Sequence, residues 1–433
     1  MISLERCFFM TFLGITTILI SLMIILLRPK ALIYLLMLFC GFTGSGAIIV
    51  GNVQLNVPHL IAILLLSIYF FEKILKCKFT IFYPSKYLTI FLFFICLTSF
   101  APLFISNRIW VLDVHNNYTY LHYSLTNITQ LMYFLLCYFF YFYIYNLIKS
   151  DTRKDLINKI VHYYCLGVIV VCLLCVYQII AFKLNLPFDS IFRDSILGNI
   201  QGTRIYGPCG EASMLAYYLL SGLPLLIRVD WNKVLRMLSV VFCIGIGVIS
   251  FSSTFFVGFM FWIAIEGCFN KNKIIFFIKK HMLTFIIITT IAVVTIVGLY
   301  DVIYEYLGKA ILKFIDTINL VNESGNERWN VFMDMINVAA EYPITGIGFG
   351  SSRSKDLFST WFANIGFVGM GLLFVYLAKI LKKDVGKYNF MKLSIFLVWI
   401  SMMISVPEPY GLFVWLFLAI IDGYSDQDDM VSK

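Results

Sequence analysis

Long apolar runs alternate along this chain with short polar breaks, and the runs are too long to be single faces of soluble helices. A helix needs about 20 apolar residues to cross the hydrocarbon core of a bilayer. The pattern predicts such spans at 7–27, 31–50, 57–71, 87–105, 128–148, 160–182, 211–227, 234–250, 254–269, 282–299, 358–378, 393–406 and 411–421. The expectation is an all-α polytopic integral membrane protein with about 12 or 13 transmembrane helices in one membrane domain, 1–433. The first run is longer than the apolar core of a signal peptide and ends at Arg28-Pro29-Lys30, so it reads as a retained span.

Three longer polar stretches interrupt the pattern, at 106–127, 183–210 and 300–357. In the third, Ile303, Leu307, Ala310, Ile311, Phe314 and Ile318 recur at helical spacing, which predicts an amphipathic helix at the membrane surface. Residues 322–326 predict a break, and a second helix is expected from near Glu327 until Pro343. Gly346, Gly348 and Gly350 then read as a flexible turn back to the membrane. No internal repeat is visible, nor a matched pair of interrupted apolar segments of the kind that marks a transporter.

Charge orients this plan. Most of the 33 Lys and Arg residues fall in clusters at 28–30, 73–86, 149–159, 228–236, 271–280 and 379–392. All six clusters lie on one side of the predicted spans, which the positive-inside rule makes cytoplasmic. The three polar stretches are then outer loops. The net charge of +9 belongs to this pattern and excludes nucleic acid as the expected partner. Apolar residues make up 61% of the chain and charged residues 13%, which excludes a soluble enzyme.

Metal and nucleotide chemistry find no support. Cys172 and Cys175 have CxxC spacing but sit in an apolar run without a second pair, so they read as core residues. The five histidines show no ligand spacing. The glycines at 346–350 follow no strand and precede no ribose-binding acid, so they are not a nucleotide fingerprint. No metal and no cofactor are expected.

The chemistry-bearing residues cluster instead around 201–216, QGTRIYGPCGEASMLA. Arg204 stands on the predicted outer side, where arginine is depleted. It reads as a phosphate ligand, as a headgroup contact, or as a partner of Glu211. Glu211 opens an apolar helix, where a carboxylate is favoured by the helix dipole; it reads as a cap, a general base or an anchor for an arginine. Ser213 has no histidine to activate it and reads as a small packing residue. Arg328 is expected at the start of the second outer helix, an unfavourable place for a cation unless an anion binds there. The alternative is a surface arginine paired with Glu327. Arg353 and Lys355 are lesser candidates of the same kind.

These residues resemble the bacterial O-antigen polymerase (Wzy) and O-antigen ligase superfamily. The resemblance rests on Arg204-Ile-Tyr206-Gly207 followed by Glu211-Ala212-Ser213 and Ala216. It continues in Arg328-Trp329, Tyr342-Pro343, Gly346, Gly348 and Gly350, then Asn364-Ile-Gly366-Phe-Val-Gly369. Ala212 stands where the family pattern has a proline. No histidine follows His281, whereas the ligases carry one near the end of the large loop, so the polymerase branch is favoured.

The resemblance implies a glycosyltransferase-type enzyme in the bacterial inner membrane. It would move a growing glycan from undecaprenyl pyrophosphate to a lipid-linked acceptor repeat unit at the outer face. Arg204, Arg328 and Glu211 would be its catalytic residues; Tyr206, Gly207, Ser213, Trp329 and Arg353 would bind substrate. Undecaprenyl-pyrophosphate-linked oligosaccharide, membrane lipid and a chain-length regulator protein are the implied partners. The alternatives are a polysaccharide ligase and a non-enzymatic flippase for the same lipid-linked units.

Overall fold

Two helices of this chain are apolar on every face, and such helices belong inside a bundle. The motif helix, Ala212–Leu226, is buried all round from Leu215 onward. The C-terminal helix, Leu412–Val431, is buried all round as far as Asp422. They meet through rings, with Tyr217 and Tyr218 at 5.0 and 5.4 Å from Phe413. Leu125–Ser150 packs on the C-terminal helix and Phe390–Ser405 on the motif helix; Asp155–Leu184 pairs with Leu32–Phe39, and Leu357–Lys382 with Lys86–Thr98. The computed structural model describes residues 8–50, 53–76, 84–105, 109–113, 117–150, 155–192, 204–280, 323–407 and 409–431.

Six helical stretches among these residues are long and apolar enough to cross a membrane: Val57–Leu75, Lys86–Leu103, Leu125–Ser150, Asp155–Leu184, Leu357–Lys382 and Gly386–Ser405. Phe12–Leu27, Ala212–Leu226 and Leu412–Ser425 are shorter apolar helices. Large apolar side chains such as Phe12, Leu26, Phe93, Val241 and Met260 stand exposed around the perimeter. The predicted span at 282–299 and the amphipathic helix at 303–318 lie outside the described residues.

The chain is not wholly helical, and the second predicted span is where it departs. Residues 31–50 form a short helix, Leu32–Phe39, a turn, and a strand, Gly46–Val50. That strand pairs on one side with Phe8–Met10 and on the other with Val53–Asn56. The glycines at 41, 44 and 46 end the helix without lowering the apolar character of the run.

A second interruption lies in Leu357–Lys382, at Gly366, whose φ is 60° and ψ −167°. In a continuous helix Phe367 and Val368 would donate to the carbonyls of Ala363 and Asn364. Here Phe367 N donates to Pro343 O at 2.8 Å, and Val368 N to Ile344 O at 3.1 Å. The two freed carbonyls accept from Ile347 N at 2.9 Å and Gly348 N at 3.0 Å. The glycine turn is thus spliced into the helix, and these four backbone groups opened by the break are satisfied. Buried backbone demands this. The turn expected to be flexible is a fixed joint, and the chain does contain interrupted apolar segments.

Described parts of two of the polar stretches pack against one another. The hairpin of Trp110–Leu112 and Tyr118–Tyr120 packs on Glu323–Glu341, the cap helix, around Val111, Leu112, Val331 and Met335. Arg353 N donates to Leu112 O at 2.9 Å, which ties the 342–356 segment to the same hairpin. Described members of several basic stretches also meet one another, Arg228 standing over the Phe390 ring at 5.7 Å. Lys379 lies 3.5 Å from the centre of the Tyr87 ring, Arg228 bonds Glu266 at 2.7 Å, and Tyr388 Oη donates to Asn158 Oδ1 at 2.8 Å.

Candidate functional site

The central motif is held by the first interruption. Gly44 N and Ser45 Oγ both donate to Pro208 O, at 3.2 and 3.0 Å, and Cys209 Sγ donates to Gly41 O at 3.0 Å. A Cβ on Gly44 would sit 2.3 Å from Gly210 Cα, so only glycine allows this approach. The second apolar run unwinds in order to seat the motif.

Within the motif, Tyr206 and Gly207 face inward. Tyr206 is 2% exposed and its hydroxyl donates to Asp189. Gln178, on Asp155–Leu184, accepts through Oε1 from both Tyr206 N at 3.0 Å and Gly207 N at 2.8 Å. Gly207 has φ +54°, and a Cβ there would meet Cys175 Sγ at 2.7 Å. Cys172 and Cys175 are buried core residues, as their setting predicted. These groups shape the turn.

Arg204 and Glu211 face outward at either end of that turn. Glu211 occupies the N-cap position of the motif helix, but its side chain accepts no backbone N–H there. Its Oε2 instead receives the Ser213 hydroxyl at 3.4 Å, a long contact. Among the described residues no ion pair joins Glu211 to Arg204, so the anchoring role is not the one the geometry displays.

The cap helix starts at Glu323, earlier than predicted, so Arg328 stands in its second turn rather than at its N-terminus. The helix-dipole argument for an anion there loses force, since the effect fades within the first turn. A different observation replaces it. Desolvation by the surrounding protein holds the Arg204 pKa down, and the charge of Arg328 adds to that effect. Two arginines far apart in sequence, on separate polar stretches, act on one another electrostatically.

Neither arginine has a carboxylate partner among the described residues. Glu327, beside Arg328, is taken by Lys355 at 3.5 Å. Asp334, farther along the cap helix, accepts from Tyr118 Oη, and that bond pushes the Tyr118 phenol up to about 12. Trp329 is half exposed, its ring stacked 5.7 Å from Phe332.

A buried polar lattice supports the 342–356 segment from below. Asn364 Oδ1 accepts from Ser352 N and Ser352 Oγ, at 3.0 and 2.9 Å, and its Nδ2 donates back to Ser352 O at 2.8 Å. Asp356 caps Leu357–Lys382 by accepting from Ser359 N at 2.8 Å. Asn127 Nδ2 donates to Phe349 O at 3.0 Å and to Ser351 Oγ at 2.9 Å. Arg353 and Lys355 are therefore carried on a rigid frame. The arrangement offers two unpaired guanidiniums on an immobilised turn and a packed helix, with an uncapped carboxylate on the same motif. Such a site suits a polyanionic group with a nearby hydroxyl to deprotonate. Among the described residues no group of side chains has the makings of a metal site. No protein-family model matches the chain, and no curated protein sequence matches it either.

Proposed function

We propose that the chain is a polysaccharide repeat-unit polymerase of the bacterial inner membrane, with about 12 or 13 spans. It transfers a growing glycan from undecaprenyl pyrophosphate to a lipid-linked acceptor repeat unit at the outer face. The observation that carries this reading is that the charges of Arg204 and Arg328 act on one another while neither is paired with a carboxylate among the described residues. Two like charges repel, and a pyrophosphate bound to both would replace that repulsion with attraction.

The acceptor hydroxyl oxygen attacks the anomeric carbon of the donor's first sugar, forming the new glycosidic bond. The bond from that carbon to the pyrophosphate oxygen breaks. Its electron pair leaves with the pyrophosphate, where the two guanidiniums stabilise the developing charge. The hydroxyl proton passes to the Glu211 carboxylate, which makes no competing backbone cap. Ser213, within reach of Glu211, orients that carboxylate. Tyr206 and Gly207 act by shaping the turn, Trp329 offers an exposed ring to a sugar, and Arg353 adds positive charge. The energy comes from the lipid-linked donor, so no cofactor is called for.

Deleting the gene and resolving surface and lipid-linked glycan on a gel tests this reading. The expected result is a ladder that collapses to a single repeat unit on its final acceptor. Full-length glycan stranded on the lipid carrier would make the protein a ligase. Single units trapped on the carrier at the cytoplasmic face would make it a flippase.

A further inference from the structure

We propose that Gln178 is a positioning residue for Arg204, fixing the turn that carries it by clamping the two peptide N–H groups that follow Ile205. The inference rests on the reading of Arg204 as a pyrophosphate ligand.

Gln178 is wholly buried, in the apolar run 165–182 of its helix. An amide in such a place costs free energy unless it is hydrogen-bonded. Only half of it is. Oε1 accepts from Tyr206 N and Gly207 N, at 3.0 and 2.8 Å, while Nε2 has no partner among the described residues. A residue kept for packing alone would be Leu or Met. What this position supplies is one oxygen, aimed at two successive N–H groups.

Those two N–H groups sit at the point where the chain reverses. Gly207 has φ +54° and no room for a Cβ above Cys175, so the turn needs glycine there. Tyr206 is pinned at its other end by Asp189. Arg204 lies two residues before the clamped peptide and is itself held by no ion pair among the described residues. The backbone position of Arg204 is therefore set by the turn, and the turn is held by Gln178. Misplacing a binding group by about 1 Å can cost roughly 100-fold in rate.

The unpaired Nε2 makes the proposal testable by a conservative change. Gln178→Glu keeps an acceptor oxygen and loses no hydrogen bond. Gln178→Leu removes the acceptor and leaves both N–H groups unsatisfied. Chain growth is measured with the purified full-length protein and lipid-linked repeat units, for both variants, alone and in an Arg204→Ala background. Gln178→Leu is expected to slow growth at least tenfold, and Gln178→Glu to stay within about threefold of the parent. In the Arg204→Ala background Gln178→Leu should change the residual rate no further, because Gln178 acts through Arg204.

Parent-like growth by Gln178→Leu overturns the proposal, as does a Gln178→Glu loss as deep as that of Gln178→Leu. Should Gln178→Leu fail to fold, Gln178→Glu decides alone, a tenfold loss overturning the idea. The failures are distinguishable: a fully active Arg204→Ala sinks the polymerase site itself, whereas an inactive Arg204→Ala beside a normal Gln178→Leu sinks only the positioning role.

Discussion

Arg204→Ala and Arg328→Ala should each cut the rate of glycan chain growth by roughly 100- to 1,000-fold, the usual loss when one charge-stabilising donor is removed from an active site. Neither should harm the fold. Desolvation disfavours the Arg204 charge, and repulsion from the Arg328 charge adds to it. Removing Arg328 relieves that repulsion, so the variant's melting temperature should equal or exceed the parent's. Loss of activity together with equal or better stability is the signature of a residue kept for function. The assay is chain growth by purified protein on lipid-linked repeat units, with thermal unfolding of the same samples. A fall in melting temperature that tracks the loss of activity would assign the arginines to structure instead.

Gly366→Ala should abolish folded protein, or nearly so. At φ 60° and ψ −167°, Gly366 occupies a region essentially closed to other residues, worth about 1–3 kcal/mol of strain. The added Cβ would also lie 2.5 Å from Ile344 O, a backbone atom of the spliced turn. Relief of that clash means opening the splice, which strands the N–H groups of Phe367 and Val368 and the carbonyls of Ala363 and Asn364. Each buried group so stranded costs about 1–3 kcal/mol, against a total stability of about 5–15 kcal/mol. Gly371 supplies the control. It lies on the same helix, and nothing stands within 4 Å of a Cβ built there. Gly371→Ala should leave the yield unchanged or improve it, since alanine is the better helix former by about 1 kcal/mol. Equal yields of the two variants on detergent chromatography would show that the splice is not what holds the outer segment.

The helices were legible because hydropathy and helix length answer to the same physics. Both interruptions escaped that reading for one reason. Gly366 sits among Ile365, Phe367 and Val368, and Gly41 and Gly44 lie in a short break between the apolar runs 31–40 and 47–50, so a bend that is sharp in space barely interrupts the hydropathy. The small sheet built on Gly46–Val50 was missed with the first of them. Arg204, Glu211 and Arg328 stood out because charge is scarce in this chain. That the two arginines act on one another was beyond reach, since separation in sequence says nothing of closeness in space. Gln178 left a signal that was passed over. A lone amide between Tyr177 and Ile179 in an apolar run needs a partner, and asking for that partner leads toward the Arg204 turn.

The central claim is that Arg204 and Arg328 hold one pyrophosphate together, and a double-mutant cycle tests it most directly. Chain growth is measured for the parent, for Arg204→Ala, for Arg328→Ala and for the two combined. Groups that serve one ligand as a unit lose most of their effect once either is gone. The double variant should therefore fall no more than about threefold below the weaker single variant. A double variant whose loss equals the product of the two single losses would show the arginines acting independently, and would contradict a shared clamp.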